Sequence, residues 1–420
     1  MYYKRVIENK INEIKNEYAV ITVYGARQVG KSTMINHLFQ NIKMISLDDL
    51  EMRTLANNNP KLFLETYSWP IIIDEVQKAT PLLSYIKLIV DEEKKKVVFE
   101  DKKLPLMYIL TGSNQFELQE AINESLAGRT AIFNMASLSK NEKYKIEMNN
   151  EFNPDIKVLK DKARNIDVKN AYSTRTKIFE DIFYGGMPEY IIEKKDRETF
   201  FRSYIQTYIE KDVRKAIGID KERQFLLFLE YLALRTAQQI NYEDISKNIG
   251  IDARTVKNWI SILKASGIII LIEPYAKNLS DRIIKTPKLY FMDTGLCAYL
   301  CKWPTANMLE KCAMNGAFYE TYAVSEIIKS YINKGLKYDN TIYYYRDKTQ
   351  KEVDLIFEYF DYIIPIEIKK GINPVSSSFN FNFLRKYGKE IKKGIVIDSR
   401  EDIFPINEFN WYCPIYMIGY

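Results

Sequence analysis

Histidine is almost absent from this chain of 420 residues: His37 is the only one, and the four cysteines, Cys297, Cys301, Cys312 and Cys413, are scattered. That scarcity argues against a Cys/His metal cluster and leaves little room for histidine-centred acid–base or triad chemistry. It also fits a reducing compartment, so unpaired thiols and a cytoplasmic location are expected. No apolar run approaches the roughly 18 residues that a membrane helix needs; the longest, around GIIILIEPY, is strand-like. The opening MYYKRVIENK lacks the apolar core of a signal peptide. Charge of one sign is lacking too: 61 Lys and Arg against 55 Asp and Glu leave +6, which permits an anionic partner without demanding one.

What remains is an ordinary globular balance, 46% apolar and 28% charged, in a chain long enough for two or three cores. From Tyr18 to about Phe133, short apolar runs (YAVITVYG, KMISL, WPIIIDE, LMYILTGS, TAIFNM) alternate with amphipathic helical stretches. Continuous apolar strands between helices predict a mostly parallel sheet covered on both faces, an α/β arrangement. The charged stretch NEKYKIEMNNEFNPDIKVLKDKARN reads as a boundary with an exposed insertion. Beyond it the pattern is helical and is broken at YGGMPEY. It closes on INYEDISKNIGIDARTVKNWISILKASGIIILIEPY, the rhythm of a helix-turn-helix with a β-wing. The domains expected are therefore 1–150, 151–310 (a helical lid with a winged helix) and 311–420.

Gly25-x-x-x-x-Gly30-Lys31-Ser32 follows an apolar strand and opens a helix, the context a phosphate-binding loop requires. Backbone N–H groups from Gly25 through Gln28, Val29 and Gly30 to Thr33 would close around phosphate, Lys31 would reach the β/γ oxygens, and Ser32 would ligate Mg²⁺. Downstream, PIIIDEVQK ends a buried strand in Asp74 and Glu75. Asp74 suits the Mg²⁺ shell, and Glu75 suits the base that deprotonates the attacking water. LMYILTGSN ends in Thr111, Ser113 and Asn114, polar groups placed to sense the γ-phosphate, and Arg129 in ESLAGRT suits the stabilisation of transition-state charge on its own or a neighbouring subunit.

GARQVGKST, SLDD, IIIDEVQK, LTGS, SLAGR and GGMPEY occur in this order, and the chain thereby resembles a large family of prokaryotic AAA-type ATPases. Members of that family carry a C-terminal domain of unknown function with a restriction-endonuclease-like fold. The resemblance spans nearly the whole chain. It implies a nucleotide domain of the additional-strand, catalytic-glutamate type, with Glu75 as base and Arg129 in catalysis. YIQTYIEKDVRK, Tyr204 to Lys215, resembles a further motif of the family.

In the second helix of the helix-turn-helix, DARTVKNW places Arg254 and Lys257 near the N-terminal end, where recognition helices meet DNA. A lid or a protein contact is the competing use of the same unit. Further on, KEVDLIFEYFDYIIPIEIKKG reads as a hairpin carrying Asp354 on one strand and Glu367-x-Lys369 on the next. Asp, then Glu-x-Lys, is the metal-site pattern of restriction-type nucleases, the PD-(D/E)XK class. Asp354 and Glu367 would hold Mg²⁺, Lys369 would steady a metal-activated water, and Glu320 on the preceding helix is a third acid. The element order there is αβββαβ. The function expected is Mg²⁺-dependent ATP binding and hydrolysis that drives or gates a nuclease-like module. The alternative is a nucleotide-switched module that recruits a protein or DNA without phosphodiester cleavage. The partners implied are ATP, DNA or another nucleic acid, and second copies of the chain, with no membrane.

Overall fold

A computed structural model describes residues 2–99, 101–113, 118, 121–122, 124–166, 175–208, 222–276, 286–371 and 379–420. Its contacts divide the chain into two compact units. The first is Met1–Leu138 with Ala265–Ile268 and Ile332–Gly335; the second is Ser139–Lys264, Ile269–Tyr331 and Leu336–Tyr420.

In the first unit, β1 (Val20–Gly25), β2 (Lys43–Ser46), β3 (Ile71–Asp74), β4 (Tyr108–Gly112) and β5 (Thr130–Met135) form one sheet in the order β2-β3-β4-β1-β5. Every pairing is parallel. Strand side chains alternate between faces, and here both faces are apolar. Val20, Ile71, Ile73, Tyr108 and Leu110 enter one core; Ile21, Val23, Ile72, Ile109, Phe133 and Met135 enter the other. That is why these strands read as continuous apolar runs. Asp49 caps the helix Leu50–Asn58 by accepting from the N–H groups of Glu51 and Met52. Asn59 caps Pro60–Thr66, whose first position is the proline that such a position favours. Strand β4 stands between β1, which feeds the phosphate loop, and β3, which ends in Asp74, so the expected additional strand is present.

The second unit holds two sheets. β6 (Gln238–Gln239), β8 (Lys288–Phe291) and β7 (Ile269–Ile272) form a three-stranded antiparallel sheet, in that spatial order. It accompanies the helices Glu222–Leu234, Tyr242–Ile249 and Ala253–Ala265. Gly250 ends the middle helix in the left-handed region at φ 77°. The larger sheet contains β9 (Ile342–Arg346), β10 (Glu352–Glu358), β11 (Tyr362–Ile368), β12 (Glu390–Ile391), β13 (Gly394–Asp398), β14 (Phe404–Pro405) and β15 (Asn410–Pro414). Its order is β14-β15-β13-β11-β10-β9, with β12 on β11. β9, β10 and β11 are antiparallel neighbours, while β13 runs parallel to β11 and β15 parallel to β13. The long helix Asn315–Asn333 precedes β9, and a 3₁₀ helix, Asn382–Tyr387, lies between β11 and β13. This is a mixed sheet in which a 3₁₀ helix and the short strand β12 stand where the αβββαβ order expected an α-helix, and β14 and β15 enlarge it; element order alone does not give it a nuclease function.

The stretch read as an exposed insertion is partly interior. Asn141, Glu142, Phe152 and Leu159 of that stretch are buried, as are Ser139 and Lys140 just before it, and Ser139 and Glu142 form a capping box. Lys140 Nζ donates to the carbonyls of Tyr416 and Ile418, and Asn141 Nδ2 donates to that of Gly419. Polar residues are required there because they satisfy the carbonyls of a buried C-terminal segment, a demand that no local sequence pattern announces.

Candidate nucleotide site and carboxylate cluster

The loop after β1 turns through backbone conformations that glycine favours: Gly30 has φ 88° and Gln28 φ 58°. A Cβ on Gly25 would stand 2.1 Å from the Met135 carbonyl oxygen, so the tight approach of β1 to β5 admits only glycine there. Arg5, itself buried, donates to the carbonyls of Val29 (2.7 Å) and Ala136 (2.7 Å), tying the loop to the end of β5. Lys31 is buried at the start of the helix Lys31–Leu38, and its Nζ donates to the carbonyls of Gly25 (3.1 Å) and Ala26 (2.8 Å). Ser32 is half-buried; Gln28 and Thr33 are exposed.

Parallel pairing brings the carboxyl ends of the central strands to this loop. Ser32 Oγ donates to Asp74 Oδ1 at 2.7 Å, and Thr111 Oγ1 donates to the same oxygen. Glu75, at φ 58°, turns the chain sharply out of β3. Its Oε2 accepts from Ser113 Oγ at 3.0 Å and from Gln77 Nε2, and that amide also reaches Ser113 Oγ at 3.3 Å. Asn114 lies outside the described residues. Arg129 makes a two-pronged ion pair with Asp91, Nε to Oδ1 at 2.6 Å and Nη2 to Oδ2 at 2.9 Å. The arginine's hydrogen bond holds the Asp91 carboxyl below the usual carboxylate range. Sequence reasoning missed Arg5, Gln77 and Asp91. Only Gln77, two residues after Glu75 in DEVQK, had a local signal.

A hydroxyl and a carboxylate at 2.7 Å beneath an N–H-lined loop are the hard-oxygen donor set that Mg²⁺ takes beside phosphate, so the residues present fit Mg²⁺ and a nucleotide.

The second unit gathers the C-terminal acids. Ile368 N–H donates to Asp354 Oδ2 at 2.8 Å, across the β10–β11 pair. Lys369 Nζ lies 2.6 Å from Glu367 Oε2 and 3.7 Å from Asp354 Oδ2. Glu320 accepts from Tyr290 Oη at 2.7 Å. Burial and then the Asp354 charge push the Glu320 carboxyl up to about 7 and that of Glu367 up to about 8. A lysine absent from the sequence reading joins them: Lys288 Nζ stands 2.7 Å from Glu320 Oε1, 2.7 Å from Glu352 Oε1 and 3.6 Å from Asp354 Oδ1. Burial opposes its charge, but Tyr290, Glu320, Asp354 and Glu352 outweigh that and hold its pKa well above the ordinary lysine value. Among the described residues no group of three or more His, Cys, Asp or Glu side chains is disposed to hold a metal ion. The cluster expected to take Mg²⁺ through Asp354, Glu367 and Glu320 therefore holds, besides the expected Lys369, a second ammonium group, that of Lys288.

Arg254 and Lys257 are exposed on the helix Ala253–Ala265, with Lys257 Nζ 5.4 Å from the Tyr242 ring centroid. Of the stretch Tyr204 to Lys215, residues 209–215 lie outside the described residues.

Residues 17–144 match the family model of the AAA domain. Residues 175–307 and 315–418 match two domains of unknown function, DUF8612 and DUF4143. Over residues 17–144 the sheet order, the loop and the AAA match together resemble a P-loop ATPase domain. An uncharacterized protein of Mycobacterium tuberculosis and one of Mycobacterium bovis are each 22% identical over 365 residues, covering 84% of this chain and 71% of theirs. Among solved structures, a Walker-type ATPase of Pyrococcus abyssi is 14% identical with a TM-score of 0.41, covering 70% of this chain and 94% of its own. Cdc6p of Pyrobaculum aerophilum is 12% identical with a TM-score of 0.24, covering 71% and 92%. Likeness at that level adds nothing to the fold assignment, which rests on the sheet and the family match.

Proposed function

We propose that the P-loop domain binds and hydrolyses ATP with Mg²⁺ and that this cycle switches the remainder of the chain, a module that recruits a protein or DNA partner. The observation that carries the reading is the pair Ser32 Oγ and Asp74 Oδ1, 2.7 Å apart, with Glu75 next in the chain and its carboxylate held by Ser113 and Gln77. In this reading Lys31 Nζ exchanges its two loop carbonyls for the β/γ-phosphate oxygens, and the loop N–H groups hold the phosphate chain. Ser32 and Asp74 would hold Mg²⁺, whose chemistry there would be to neutralise phosphate charge. Glu75 Oε2 takes the proton of the attacking water, with Ser113 and Gln77 fixing the carboxylate's direction. Arg129 acts on the transferring phosphoryl group by giving up Asp91.

The recruiting role is favoured over a gated nuclease because Lys288, a lysine that the nuclease pattern does not call for, sits among Glu320, Glu352 and Asp354. Arg254 and Lys257 provide exposed positive charge for a DNA partner. The domains are taken as 1–150, 151–310 and 311–420. Phosphate release from ATP and Mg²⁺ by the full chain tests the first step: the parent turns over, Lys31→Ala neither binds nor turns over, and Glu75→Gln binds without turnover. Equal turnover by all three would overturn the reading.

A further inference from the structure

Lys288 opens β8, a strand whose four residues are all buried. A charged residue in such a strand is costly unless its charge is met inside. Its ammonium is met three times, by Glu320 and Glu352 at 2.7 Å and by Asp354 at 3.6 Å, and its side chain is only 3% exposed. On the other side of Asp354, Lys369 serves Glu367 and the second Asp354 oxygen. Other donors also meet these acids: Tyr290 Oη donates to Glu320, the Ile368 N–H donates to Asp354, and Arg346 lies 3.5 Å from Glu352 Oε2.

A divalent ion binds carboxylate oxygens at about 2.0–2.6 Å. Sharing Glu320 and Asp354 with Lys288, it would sit almost against the ammonium, two cations competing for the same two carboxylates. We infer that the Lys288 ammonium is the resident cation of this cluster and takes the place a divalent metal would hold, so the cluster binds no divalent ion while Lys288 is there. Because Lys288 belongs to the three-stranded sheet while Glu352 and Asp354 belong to β10, the same ammonium ties the two sheets together. This goes beyond the nucleotide reading and does not depend on it.

Mn²⁺ titration of the full chain, followed by electron paramagnetic resonance of the free ion, tests the inference. The parent and Asp354→Asn should bind the same number of Mn²⁺ ions, any shared sites lying elsewhere. Lys288→Met should bind one more ion per chain, and Lys288→Met with Asp354→Asn should lose it. A parent site that vanishes in Asp354→Asn would overturn the inference, as would a folded Lys288→Met chain with no added site. If Lys288→Met does not fold, the comparison of parent with Asp354→Asn decides alone: equal counts uphold the inference and unequal counts overturn it.

Discussion

Arg129 shows how a single side chain is claimed by two demands. Its guanidinium is committed to Asp91 in its own unit, yet the role proposed for it asks it to face phosphate. The pair is partly exposed, 28% for Arg129 and 34% for Asp91, and such pairs contribute only about 0.2–1 kcal/mol. Asp91→Asn should therefore lower stability by no more than that amount in a urea titration, while Arg129→Ala should lower ATP turnover at least tenfold. Mixing Arg129→Ala with Lys31→Ala distinguishes action across subunits, which recovers turnover, from action within one chain, which does not. Lys140 poses a different problem. Burial lowers its pKa from 10.5 to about 8, against the pull of Glu326 and Asp181. Between about 8 and 10.5 the unfolded chain holds a proton that the folded chain has released, so Lys140 makes stability rise with pH across that window and contributes no slope below it. The stability difference between the parent and Lys140→Met, read from urea midpoints, should shift in the parent's favour from pH 8 to pH 10; a constant difference would contradict the burial assigned to it. Lys31, Ser32, Asp74 and Glu75 were legible because each sits in a run whose spacing fixes its place. Asp91, Lys288 and Glu352 were not, because their partners lie 38, 32 and 64 residues away and only tertiary folding brings them together.

At the scale of elements, periodicity foretold the strands of the first sheet well, since both faces of each strand are buried and leave unbroken apolar runs. The helices Tyr242–Ile249 and Ala253–Ala265 were equally legible from Gly250 and Gly267, both at positive φ just past their ends. YGGMPEY read as a break in the helical pattern and as a family motif, with no structural reason visible in the sequence. Its reason is a contact 107 residues away: Asp293 accepts from the Gly186 N–H at 2.9 Å and from the Leu296 N–H at 3.0 Å. A Cβ on Gly185 would stand 2.3 Å from Asp293 Oδ1. The helix Ala253–Ala265 makes the prediction belonging to this scale. If it lies along DNA, Arg254→Ala with Lys257→Ala should weaken binding and reduce the slope of log affinity against log salt by roughly 0.9 per lost phosphate contact. An unchanged slope in fluorescence anisotropy at several salt concentrations would assign the helix to protein contact.

For the whole molecule, the central claim is that the chain is an ATP-driven switch whose chemistry resides in the P-loop domain alone. The acidic cluster lies in the second unit and shares no residue with that chemistry, so Asp354→Asn should leave ATP turnover unchanged. The most direct measurement is of the nucleotide that the protein retains. The parent, Lys31→Ala and Glu75→Gln are each incubated with ATP and Mg²⁺, freed of unbound nucleotide, denatured and analysed by ion-exchange chromatography. The parent should hold ADP, Lys31→Ala nothing, and Glu75→Gln intact ATP. ADP on Glu75→Gln in the parent's proportion, or nucleotide retained by Lys31→Ala, would contradict the account.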